Sequence, residues 1–168
     1  MKIATLAVVD WSYSGAPATI MVSAVATLVA LTQEAEHALG GIREVPLTRF
    51  PVNFGRHRSP GSEHTHEGSG EEGHDPAPLN DVYLIELESS SHRHVSGAHF
   101  AIEYSDNQFF LVDRGSACGT IVAGNRIGGN RKGGRTELRD GDEVVVGTSR
   151  SPFVFRFGIV DFDNLGTA

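Results

Sequence analysis

Cysteine is almost missing from this 168-residue chain, and Cys118 is the only one. A single thiol excludes an internal disulfide, offers no Cys pair for a metal centre, and fits a reducing compartment. An excess of positive charge is lacking too. With 14 Lys and Arg against 21 Asp and Glu, the formal net charge is −7. That balance argues against a nucleic-acid surface or an anionic membrane as the main partner, while leaving room for a local basic phosphate site. No apolar run reaches the roughly 20 residues that a helix needs to cross a bilayer. The longest uncharged run, residues 16–31 (APATIMVSAVATLVAL), is broken by Thr and Ser. Asp10 and the polar Trp11–Ser14 stretch separate it from the charge at Lys2, which a secretory leader would keep close. Its Val, Ile and Thr content reads as core strand, and a cytoplasmic location is expected.

Enzyme signatures are missing as well. There is no Gly-rich phosphate loop ending in Lys, no Gly-x-Ser-x-Gly and no His-Glu-x-x-His. Ser96 and His99 lie three apart, but no orienting acid or oxyanion donor accompanies them. The chain reads as a non-enzyme that needs no cofactor.

Helical periodicity is confined to residues 32–39 (TQEAEHAL), closed by Gly40-Gly41. Elsewhere short apolar runs alternate with turn residues. Strands are expected at 26–31, 44–47, 50–54, 82–87, 98–104, 109–113, 120–122, 136–138, 143–146 and 153–157. Phe153, Phe155 and Phe157 share one face, opposite Val154 and Arg156. Asp140-Gly141 is a strong turn signal between two strands. The pattern predicts one all-β domain, a sandwich of about 10–11 mostly antiparallel strands.

Residues 57–79 interrupt it with Gly, Ser, Pro, Glu and His and almost nothing apolar. Such a segment cannot offset its ordering entropy and reads as a long mobile loop inserted in the domain. The expected organisation is an extension over residues 1–25 with a candidate edge strand at 3–9, a sandwich over 26–160, and a tail over 161–168. Exposed sandwich edges leave room for a homodimer.

Three stretches carry more chemistry than the rest: Gly55-Arg56, Ser96-Gly97-Ala98-His99 and Ser116-Ala117-Cys118-Gly119-Thr120. An Arg at a strand end and a Ser opening a later loop form a natural pair of phosphate ligands, a planar fork of donors plus a hydroxyl. In order, and joined by Asn80-Asp81-Val82-Tyr83-Leu84 and the closing 138–147 segment, they resemble the forkhead-associated (FHA) domain over about residues 26–157. That resemblance implies an FHA-like sandwich that binds phosphothreonine peptides, with the threonine methyl favoured over phosphoserine. It further implies that Arg56 and Ser96 hold the phosphate, and that Gly97, Ala117 and Cys118 line the peptide site. Gly55, His99 and Gly119 would support the loops, with His99 bracing them rather than catalysing. The implied partner is a Thr-phosphorylated protein, a protein kinase's substrate. The chain departs from the family pattern where Gly97 replaces a basic or amide residue, Ala117 a hydroxyl residue, Cys118 an Asn, and Ala123 a second Asn. A thiol is a weak donor and acceptor, so the clamp around the phosphate is thinned.

Other readings stand beside these. Ser116 suits a local turn bond as well as a ligand contact. Arg58, Arg93, Arg114 and Arg126 are candidates for a basic rim or plain solvated surface. A module that assembles without phosphate is the first alternative, fed by Gly97, Ala117 and Cys118. The second is metal binding at the His-x-His pairs His64/His66 and His92/His94 with His57 and His74, which rests on composition alone.

Overall fold

Two stacked sheets realise the alternation of apolar and polar residues. The computed structural model describes residues 6–10, 18–22, 26–57, 79–86 and 93–160. Near the N-terminus, β1 (Leu6–Asp10) and β2 (Ala18–Val22) pair antiparallel as a sheet of their own. β1 overlaps the strand expected at 3–9, β2 is a further strand in the same extension, and the apolar run 16–31 divides between β2 and β3 (Ala26–Ala30). A short helix follows, α1 (Gln33–Ala38), started by the Thr32 hydroxyl accepting the Ala35 N–H at 3.2 Å. Gly40 and Gly41, both at positive φ, end it.

The remaining strands are β4 (Glu44–Leu47), β5 (Val52–Arg56), β6 (Val82–Leu84), β7 (Phe100–Ser105) and β8 (Gln108–Asp113), then β9 (Thr120–Val122) and β10 (Asn125–Ile127), and last β11 (Gly134–Leu138), β12 (Glu143–Val146) and β13 (Val154–Ile159). One six-stranded sheet runs β10-β9-β12-β13-β3-β4 and one five-stranded sheet runs β11-β8-β7-β5-β6. The fold is the all-β sandwich that the patterning predicts. Pairing is antiparallel except for β5 with β6. A parallel pair needs a long crossover, and the His- and Glu-rich insertion after residue 57 supplies it.

Burial follows the pleat. Phe155 and Phe157 are fully buried, Phe153 nearly so, and Arg156 between them is exposed. Phe54 stacks on Phe100 at 4.5 Å within one sheet, and Phe109 meets Phe157 edge-on at 5.2 Å across the two. Each buried Phe contributes about 1.5–3 kcal/mol, so these rings fix the sheets' registry. The Asp140-Gly141 turn carries the chain from β11 in one sheet to β12 in the other, with Gly141 at φ +86. Among the described residues no helix is long and apolar enough to cross a membrane.

Candidate functional site

At the end of β5 the chain needs a glycine for closeness rather than for φ. A Cβ on Gly55 would overlap the Gly97 carbonyl oxygen and crowd the Asn80 amide. The bare backbone lets the 93–99 loop lie directly against β5. Two main-chain bonds then lock it there: Arg56 N–H donates to Ser96 O and His99 N–H to Phe54 O, both at 2.9 Å. The half-buried Arg56 is thus fixed beside Ser96. The Ser96 hydroxyl accepts the Ala117 N–H at 3.0 Å, tying this loop to the next. A hydroxyl that accepts in this way keeps its proton to donate.

His99 joins the loops from beneath and is fully buried. Its Nδ1 accepts the Ser96 N–H at 2.9 Å, so the ring proton sits on Nε2, which donates to Gly119 O at 2.9 Å. Its own carbonyl accepts the Arg114 N–H. The imidazole therefore ties the 93–99 loop to the far end of the 114–119 loop, while the main chain of His99 reaches β5 and Arg114. Burial pushes its pKa below the usual histidine value, against the opposing pull of the Gly119 carbonyl and the Asp113 and Glu86 carboxylates.

The third loop is built around a buried carboxylate. Asp113 accepts the Gly115 and Ser116 N–H groups and the Ser116 hydroxyl, while Ser116 Oγ accepts the Gly119 N–H at 2.8 Å. Ser116 is fully buried and turned into its own loop, which leaves the local turn bond and not a ligand contact. Residues 128–133 strap the outside: Asn130 N–H donates to Ala117 O at 2.9 Å and Arg131 N–H to Ser116 O at 3.0 Å. Gly119, at φ +77, gives the left-handed turn that presents Ala117 and Cys118 at the tip. Ala117 is exposed, and the Cys118 thiol lies 3.4 Å from Arg93 O.

Patterning along the sequence missed three supporting groups. Asn80 precedes β6 rather than lying within a strand; its Nδ2 donates to Gly97 O at 2.8 Å and its Oδ1 accepts from Arg114 Nη1 at 2.7 Å. Arg114, a rim candidate, is thereby committed to Asn80. Glu86 accepts the His94 and Val95 N–H groups at 2.6 and 3.3 Å. An Asn-Asp pair just before a short strand was the available signal for Asn80, because such residues commonly bind neighbouring backbone. Arg58, His64, His66, His74 and His92 lie outside the described residues. Among the described ones, no three His, Cys, Asp or Glu gather where they could hold a metal ion.

The site is a set of three loops at one end of the sandwich, with Arg56, Ser96, Gly97, Ala117 and Cys118 converging and Gly55, His99 and Gly119 beneath them. The family model "FHA domain" matches residues 68–147. An FHA domain of an Arabidopsis thaliana hypothetical protein superposes with TM-score 0.52 at 16% identity, covering 83% of this chain and 89% of that one. The kinase-interacting FHA domain of the Arabidopsis kinase-associated protein phosphatase gives 0.51 at 22%, covering 82% and 95%. EmbR of Mycobacterium tuberculosis gives 0.49 at 23% over 87% of this chain, which spans only 26% of the EmbR length. No curated protein matches the chain in sequence at a significant level. Residues 68–147, which carry two of the three loops, match the FHA domain model, and the β-sandwich has the FHA fold.

Proposed function

We propose that this chain binds Thr-phosphorylated peptides through Arg56 and Ser96 and serves as a cytoplasmic adaptor in kinase signalling. FHA domains are interaction modules, in keeping with a chain that carries no enzyme signature. The observation that carries the reading is the Arg56–Ser96 junction. A main-chain bond of 2.9 Å holds the two residues side by side, and the Ser96 hydroxyl keeps a proton to donate. A guanidinium and a hydroxyl carried by two residues so joined suit the oxygens of a phosphate dianion. The remaining contacts fall to Gly97, Ala117 and Cys118, whose side chains offer no strong donor, so backbone groups of the loop tips would meet the peptide.

The test is fluorescence anisotropy with a phosphothreonine peptide library on the wild-type chain, Arg56→Ala and Ser96→Ala. Charge-assisted bonds to phosphate are worth about 1.5–3 kcal/mol, so each substitution is expected to weaken selected peptides about tenfold or more. Equal binding of phosphorylated and unphosphorylated peptides, unaffected by Arg56→Ala, would favour a phospho-independent assembly module instead. That second reading draws on the exposed, donor-poor tip at Ala117 and Cys118.

A further inference from the structure

The phosphate pair accounts for one residue of a peptide and says nothing of its neighbours. The three loops around the pair do. Residues 93–99, 114–119 and 126–134 contain Arg93, Arg114, Arg126, Arg131 and Lys132 and not a single Asp or Glu, in a chain whose net charge is −7. Among the described residues, the carboxylates hydrogen-bonded to these loops are spent on backbone: Asp113 holds Gly115 and Ser116, and Glu86 holds His94 and Val95. Arg114 is committed to Asn80.

Arg126 differs from the others because its position is set. It leaves β10, and its Nε comes to 3.1 Å from where a Gly119 Cβ would stand. Its Nη2 occupies the space that a Gly129 Cβ would need. Two glycines at positive φ, Gly119 and Gly129, therefore make a seat for this guanidinium against the 116–119 loop. Among the described residues its side chain makes no hydrogen bond or ion pair, and Arg126 is exposed. An arginine placed against backbone with no carboxylate to satisfy it offers a charge to whatever lies over Ala117 and Cys118.

We infer that Arg126 is a specificity-determining residue that selects an acidic side chain flanking the phosphothreonine, so that the ligand class is an acidic phosphopeptide. The inference rests on the phosphopeptide reading above, and the experiment separates the two. Labelled phosphothreonine peptides carrying one Asp, Ala or Lys, walked along either side of the phosphothreonine, are titrated against wild type, Arg126→Ala, Arg126→Glu and Arg56→Ala. Wild type should prefer Asp to Lys at one flanking position by about two- to tenfold, the range for an exposed ion pair against its like-charge counterpart. The preference should shrink as salt is raised. Arg126→Ala should flatten it and Arg126→Glu reverse it, both with unchanged melting temperature, while Arg56→Ala weakens every peptide alike. Wild-type binding that ignores flanking charge, or a preference that survives Arg126→Glu, overturns the role of Arg126 and leaves the phosphopeptide function standing. Failure to bind any phosphothreonine peptide overturns both.

Discussion

Acidification should loosen this domain through one residue, His99. Its Nδ1 accepts the Ser96 N–H at 2.9 Å, so a second ring proton would set donor against donor in a fully buried place. Burial accordingly holds the folded-state pKa below the ordinary 6.5. Above pH 6.5 neither folded nor unfolded His99 is protonated, and this residue contributes no pH dependence. Below it the unfolded chain takes up a proton that the folded chain refuses, so stability falls with pH until the folded pKa is reached. One proton bounds the slope at about 1.4 kcal/mol per pH unit, so the loss one unit below 6.5 has about 1.4 kcal/mol as its ceiling. That ceiling is about a tenth to a quarter of a stability of about 5–15 kcal/mol. Urea unfolding of wild type and His99→Gln between pH 8 and pH 5 measures it. The other seven of the eight histidines are common to both proteins, so whatever they contribute cancels in the difference. The variant should be weaker at pH 8 and lack this part of the decline. Parallel curves between pH 7 and pH 5.5, or an NMR titration showing His99 protonated near pH 6.5 in the folded state, would refute the reasoning.

Gly55→Ala is expected to cost about 1–3 kcal/mol as the Gly97 carbonyl and Asn80 are forced from β5, and to weaken phosphopeptide binding with it. Unchanged melting and affinity would count against the close approach seen here. Ser116→Ala removes the partner of Asp113 Oδ2 and of the Gly119 N–H in a buried loop, at about 1–3 kcal/mol in urea unfolding. A change below about 0.5 kcal/mol would show that the loop holds without that hydroxyl.

The sandwich was legible because its strands alternate or run apolar over several residues, as Phe153, Phe155 and Phe157 do. β10 was not. Asn125-Arg126-Ile127 holds one apolar residue, too few for any period. It pairs because β9 offers an edge and because Ala123 and Gly124, at φ +46 and +82, turn the chain back in two residues. Strand starts at 50, 98 and 136 gave way to Val52, Phe100 and Gly134. Phe50, Pro51 and Ala98 are apolar but lie in bends, and the glycine that opens β11 conceals a strand start.

In the site, Arg56, Ser96 and His99 could be read from motifs in order, whereas Asn80 could not be tied to Gly97 and Arg114. Those bonds span 17 and 34 residues and leave no local pattern.

Gly55 was legible only as a support for the loops, and the structure shows that what lies against it is the protein's own 93–99 loop. The family's polar tip residues are replaced here by Ala117 and Cys118, yet the third loop keeps its form. Its bonds run through Asp113, Ser116, His99 and backbone groups, and the tip adds only the weak bond of the Cys118 thiol to Arg93 O. On the phosphopeptide reading proposed above, the scaffold and the ligand contacts rest on different residues, and the cation seated beside the tip at Arg126 supplies the selectivity that the side chains of Ala117 and Cys118 do not.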